Sequence, residues 1–191
     1  MPIEELIRSG SVRPITRWGD PVMHTPTRAV TDYGSSLQEL LADLFATNIA
    51  ADGAGLAAPQ VGVGLAVFIF DCYNAEWQRC IGLLCNPTLT FAEQRLRRYV
   101  ELDEGCLSLP GAYVSTTRPN YAICQGQDQF GDDIEITGTG ALARCLQHET
   151  DHLNGLVFAD RLPHRQRKEL YARHERRARQ YPADWPVSRS I

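Results

Sequence analysis

No stretch of this chain is apolar enough to cross a membrane. Its longest strongly apolar run, Leu65 to Phe70, is six residues, against roughly 18 for a spanning helix, so no membrane partner is expected. The start, Met1-Pro2-Ile3-Glu4-Glu5, has neither the basic lead nor the apolar stretch of a signal peptide. Close C-x-x-C pairs are missing as well. That excludes a paired-cysteine structural zinc site at Cys72, Cys80 and Cys85. Lysine occurs once, at Lys168, a bias that genome composition alone can produce. Repeats and low-complexity segments are absent.

What is present is ordinary for a globular protein. At 191 residues the chain can bury about 70% of its unfolded surface without staples, so its six cysteines are not needed as a disulfide framework. Four of them sit in apolar stretches, where reduced thiols are usual. A reducing cytoplasm is the expected location. Charge is uneven: residues 1–160 carry a net −10 and residues 161–191 a net +6.

Periodicity sketches the fold. Leu37, Leu40, Leu41, Leu44, Phe45 and Ile49 recur at helical spacing after serines suited to capping, and Asp52-Gly53 stops that helix. A glycine-punctuated loop follows, Gly53 to Gly62. Strand signals cover Leu65–Phe70, Cys80–Cys85, Leu89–Phe91, Leu96–Leu102, Tyr121–Gln125 and Ile134–Thr137, with turns at Asn86-Pro87 and Phe130-Gly131-Asp132-Asp133. Arg13 to Val30 reads as an irregular wrapping arm. A second helix runs from about Gly140, with Thr139 as N-cap and Asn154-Gly155 as its close. Pro163 to Tyr181 reads as a third helix, polar and basic. The expectation is one α+β domain over residues 1–191, with mixed or antiparallel sheets around a central helix and a carboxy-terminal helix at 163–181.

The chemistry concentrates at His148-Glu149-Thr150-Asp151-His152. Residues four apart share a helix face, so both imidazoles can reach one ion. A divalent ion lowers the pKa of a bound water to about 7, and the Glu149 carboxylate alongside can take and return a proton. The same residues also fit two surface histidines beside ordinary acids, so the third ligand decides. Extension to H-E-x-x-H-x-x-G-x-x-H matches Gly155 but ends on Phe158, which cannot coordinate. A downstream glutamate would be Glu169 or Glu175, both set among arginines that suit intrahelical ion pairing. Either would make a zinc metallopeptidase. Upstream, Glu104-Gly105-Cys106-Leu107-Ser108 offers a thiolate, although a lone cysteine also packs as a small hydrophobe. Cys106, His148 and His152 would leave a position open for water, as a catalytic ion requires. Gln60, at the end of the glycine loop, carries an amide that can donate to an oxygen gaining charge, and a backbone N–H after Cys106 could be a second donor.

Three segments together, Gly53-Ala54-Gly55-Leu56-Ala57-Ala58-Pro59-Gln60, Glu104 to Ser108, and Gln147 to His152, resemble the peptide deformylase family in content and order. The resemblance runs from about Trp18 to Leu162. It implies a hydrolase that removes the formyl group from the N-terminal formylmethionine of nascent peptides, releasing formate. By that resemblance Cys106, His148 and His152 hold one Fe(2+) ion per chain, with Zn(2+) or Ni(2+) as substitutes. Glu149 is then the general acid/base, and Gln60 with the Leu107 N–H holds the oxyanion. Gly55 pairs with the bound peptide, Arg118 braces Glu104, and the basic carboxy-terminal helix docks on the ribosome. Two positions depart from the pattern. Ala54 replaces a bulkier residue at the pocket mouth, and Arg144 stands where an apolar pocket residue is expected.

Overall fold

The computed structural model describes residues 1–94 and 97–187. Among them, seven strands form: β1 (Gly55–Ala57), β2 (Val67–Tyr73), β3 (Arg79–Thr90), β4 (Tyr99–Gly105), β5 (Tyr113–Pro119), β6 (Tyr121–Gln127) and β7 (Asp133–Thr139). Four α-helices accompany them: α1 (Ile3–Ser9), α2 (Ser35–Ala50), α3 (Gly140–Leu153) and α4 (His164–Arg177). The fold is α+β, as expected.

Strand alternation sets the layers. Successive β2 side chains point to opposite faces, so Val67 and Ile69 enter one apolar cluster while Phe68, Phe70 and Cys72 enter another. Both faces are buried, which is why this strand reads as an unbroken apolar run. It lies inside a five-stranded antiparallel sheet of order β1-β2-β3-β6-β7. Leu6 of α1 and Leu37, Leu40, Leu41, Leu44 and Phe45 of α2 cover the first face. Leu142, Cys145, Leu146 and Leu153 of α3 cover the second. The β4–β5 hairpin forms a sheet of its own. Its Val114, with Cys106, Leu109 and Ala112 beside it, packs on Val157, Phe158 and Leu162 beyond α3 and on Leu170 of α4. Helix α3 therefore touches the sheet and the hairpin at once, the central place expected for it.

Several expectations change in detail. Helix α2 begins at Ser35 with Gly34 as its N-cap, so the serines lie inside the first turn and do not cap it; Ile49 is exposed. Thr139 is the N-cap residue of α3, as expected, but its side chain makes no capping bond. Its hydroxyl accepts from the Ala75 N–H at 3.2 Å and donates to Glu76 at 3.3 Å. Asn86-Pro87 is not a turn between two strands. β3 runs through it with a register shift between Cys85 and Thr88, and Asn86 adopts φ 52°. The Asn86 side chain instead binds both the N–H and the carbonyl of Val30, at 2.8 and 2.9 Å, which ties down the irregular arm. Leu96, where the fourth strand was expected to start, lies outside the described residues. Helix α1, β1 and β5 had no counterpart in the sequence reading.

Phe68 is fully buried between the sheet and α3. Phe68→Ala should destabilise the protein by about 3–5 kcal/mol in urea unfolding, and a loss below about 1 kcal/mol would show that this interface does not hold α3 in place.

Candidate metal centre

One helical turn separates His148 from His152, and their Nε2 atoms lie 3.2 Å apart. The Cys106 Sγ, delivered by the chain leaving β4, is 3.3 Å from His152 Nε2. The three donor atoms all fall within 4.8 Å of one another, and all three residues are buried. A buried trio of one sulfur and two imidazole nitrogens converging on one point fits a borderline-soft divalent ion such as zinc or iron(II).

The surroundings orient the trio. Glu104 Oε1 accepts from His148 Nδ1 at 2.7 Å, which leaves the Nε2 lone pair aimed at its neighbours. Glu104 is itself held on every side. Arg118 grips it bidentately at 2.6 and 2.8 Å, Thr116 Oγ1 donates at 2.8 Å and Arg144 at 2.7 Å. Burial alone would raise this carboxyl, but the bonds from Arg118 and His148 outweigh it and hold the group well below the usual carboxylate range. Arg118 also reaches Asp151 at 3.0 Å, and Arg161 pairs with the same carboxylate. In the metal-free protein, burial would lower the His148 pKa, yet Cys106 and Glu104 lift it well above the ordinary histidine value. A bound ion would then have to displace that proton. Burial, and the neighbouring His148, lower His152 instead.

Glu149 is buried, and its Oε2 has no hydrogen-bond partner among the described residues. Burial pushes its carboxyl up to about 7. Gly55 makes this placement possible: a Cβ there would meet Cys145 Sγ at 2.6 Å and Glu149 Oε1 at 2.8 Å. The Gln60 side-chain Oε1 accepts from the Ala57 N–H at 2.9 Å, and its Nε2 lies 3.4 Å from Ser108 Oγ and 3.7 Å from Cys106 Sγ. Glycine-loop segment Gly55–Ala57, expected to be irregular, is strand β1 at the edge of the sheet, with Gly55 opposite Phe70. A cavity of about 320 Å³ brings Gly55, Gln60, Cys106, Leu107, His148 and Glu149 together. A larger one, about 520 Å³ between Phe91, Tyr99 and Phe158, contains none of the three donors.

Arg118 pairs with Glu104 as the resemblance implies, whereas Asp151 and Thr116 are neighbours that no motif marks. Asp151 fills an unspecified position of the H-E-x-x-H run, and Thr116 and Arg118 occupy alternate buried positions of β5, where apolar residues would ordinarily be sought. Arg144 does line the cavity as expected, but its guanidinium turns to Glu104, Thr116 and the Val100 carbonyl at 2.7–3.1 Å. Ala54 is exposed at the cavity mouth. The peptidase arrangements lose their ligands: Phe158 is buried with its ring 5.8 Å from that of His148, while Glu169 and Glu175 are exposed on α4 and Glu169 pairs with Arg173 at 2.5 Å.

The sequence profile of the polypeptide deformylase family matches residues 12–168. The chain belongs to the peptide deformylase family. Peptide deformylase 1 of Streptomyces avermitilis is 47% identical over 173 residues, covering 91% of this chain and 80% of the relative. The peptide deformylase of Acidothermus cellulolyticus is 46% identical over 158 residues, 83% of each chain. Among solved structures, a peptide deformylase from Legionella pneumophila superposes with a TM-score of 0.80 at 36% identity, covering 88% of this chain and 96% of that one. One from Synechococcus elongatus, in complex with actinonin, gives 0.77 at 32% identity over 85% and 88%. Peptide deformylases are metal-dependent hydrolases that remove the formyl group from the N-terminal formylmethionine of new proteins. That is the reaction of this chain.

Removing one member of a buried ion pair strands the other charge, a loss of about 3–5 kcal/mol, and losing the carboxylate bond that orients a ligating histidine weakens metal affinity about 10–100-fold. Arg118→Ala should therefore lower both the melting temperature and metal affinity, read by calorimetry and a competitive chelator titration. Unchanged metal affinity would mean that the Glu104 network does not orient His148.

Proposed function

We propose that Cys106, His148 and His152 hold one iron(II) ion per chain, with zinc or nickel as substitutes, and that the residues around them carry out deformylation. The donor set suits zinc as well as iron, and the choice of iron rests on the family resemblance. When bound, the ion supplies Lewis acidity, lowering the pKa of a water to about 7 and drawing charge from the formyl oxygen.

The protein's own groups do the rest. Glu149 takes the proton of the attacking water on its unpartnered oxygen and returns it to the departing amine. A carboxyl near 7 exchanges a proton in both directions at neutral pH. The Gln60 amide and the Leu107 N–H donate to the formyl oxygen as it gains charge. Gly55, on edge strand β1, pairs its backbone with that of the peptide. The formyl carbon carries only hydrogen, so a narrow site admits it and turns away bulkier acyl groups. The convergence of the three donor atoms beside a buried, unpartnered Glu149 oxygen carries this reading.

The whole of residues 1–191 is read as one catalytic domain, working in the cytoplasm; six free thiols suit a reducing compartment. Among the described residues no helix is long and apolar enough to cross a membrane. Helix α4 exposes Arg165, Lys168 and Arg176, with Arg179 just beyond, a surface suited to ribosomal RNA.

Anaerobic purification, metal analysis and formate release from a formyl-Met peptide test the reaction directly. Glu149→Gln should keep its metal and lose about 10²–10⁴-fold in turnover; near-wild-type activity would remove Glu149 from the proton path. Ribosome binding in sedimentation should weaken steeply as salt rises, and salt-insensitive or absent binding would discard the docking of α4.

A further inference from the structure

Beyond α4 the chain doubles back to the catalytic cavity. The Arg17 guanidinium donates to the carbonyls of Tyr181 and Pro182 at 3.1 and 2.8 Å, and the Ile15 N–H donates to the Trp185 carbonyl at 2.9 Å. The same guanidinium lies 5.7 Å from the centre of the Trp185 ring. The Tyr181 and Trp185 rings meet edge to face, with centroids 5.1 Å apart and an interplanar angle of 89°. Tyr181 sits on Gly111, whose φ is 76° and where a Cβ would come within 2.8 Å of the ring. Both rings are half-buried and line the cavity that holds Cys106, His148 and Glu149. They are fixed in place before any ligand arrives, so contact with them costs little ordering entropy. The segment also lies beyond residues 12–168, where the family profile matches.

We propose that Tyr181 and Trp185 form a selectivity wall for the side chains of the second and third residues of the formylated peptide, favouring apolar and aromatic residues over small or acidic ones. The inference rests on the reading of the site given above. With the formyl group at the three donors and an extended backbone along Gly55, each further residue advances about 3.3 Å. The second and third residues then pass along the cavity towards its mouth, and the two rings, Asp52 and Gly53 all line that cavity. Aromatic faces and edges match apolar and aromatic side chains, and the exposed Asp52 carboxylate in the same lining disfavours acidic ones.

The test is a kcat/KM series on anaerobically prepared, full-length enzyme with formyl-Met peptides carrying Phe, Leu, Ala or Asp at the second and third positions. Wild type should prefer Phe and Leu to Ala by about threefold to tenfold, the worth of an aromatic contact, with the difference in KM. Tyr181→Ala and Trp185→Ala should bring that ratio towards one, and Trp185→Phe should retain most of it. Should Trp185→Ala lose the fold, Tyr181→Leu, which keeps bulk but no ring, gives the same readout. A ratio that survives loss of the rings, or one common factor lost on every peptide, overturns the wall. A wild-type enzyme active on all peptides with a flat series overturns the wall alone. One inert on every peptide overturns the site reading with it.

Discussion

A single buried carboxylate organises this molecule. Glu104 accepts from His148 Nδ1, from Nε and Nη2 of Arg118, from Thr116 and from Arg144, all between 2.6 and 2.8 Å. Each donor belongs to an element that must be in place: His148 and Arg144 to α3, Thr116 and Arg118 to β5, Glu104 itself to β4. A buried charge is tolerable only when its lone pairs are met, so the hairpin and the helix are obliged to dock in one register. Cys106, two residues beyond Glu104, arrives at the histidines as a consequence of that docking. Asp151 extends the constraint, since it takes the remaining arm of Arg118 and is covered by Arg161 from beyond the helix.

Helix α3 meets a different requirement on its other side. Its apolar stripe fills the space over Phe68 and Phe70, while Glu149 and Cys145 face β1. The sheet can approach that closely because position 55 has no side chain. An apolar surface and a polar constellation thus share one 14-residue helix: burial holds the helix against the sheet, and ion pairing aims its histidines at the hairpin. The catalytic carboxyl proposed at Glu149 is kept dry by the first contact and near the donors by the second.

How much of this was legible depended on how each element is buried. Helices α2 and α3 show a single apolar stripe at helical spacing, and β2 an unbroken apolar run, so all three could be read directly. β5 could not, because its inward positions are Val114, Thr116 and Arg118; two of the three serve the Glu104 network and break the apolar alternation. β1 is only the three residues Gly55-Leu56-Ala57, running straight into 3₁₀ backbone, too short for periodicity. The Asn86-Pro87 pair reads as a turn because Pro cannot donate to a ladder, and the structure accommodates it with a bulge. Of the site, the two histidines and Glu149 were visible in one motif. Cys106 was one candidate third ligand among several until the Glu104-to-Ser108 segment was set beside the glycine loop. Arg144 looked like an anomaly in a pocket wall; with its guanidinium spent on Glu104 and the hairpin, only its stem remains to line the cavity.

The proposed chemistry requires Cys106 and the two histidines to share one ion. X-ray absorption at the metal edge of anaerobically loaded protein addresses that without reference to turnover. The zinc-loaded form should show one sulfur at about 2.3 Å and two imidazole nitrogens at about 2.0–2.1 Å, with the sulfur lost in Cys106→Ser. A shell containing only nitrogen and oxygen, or one unchanged by Cys106→Ser, would contradict it.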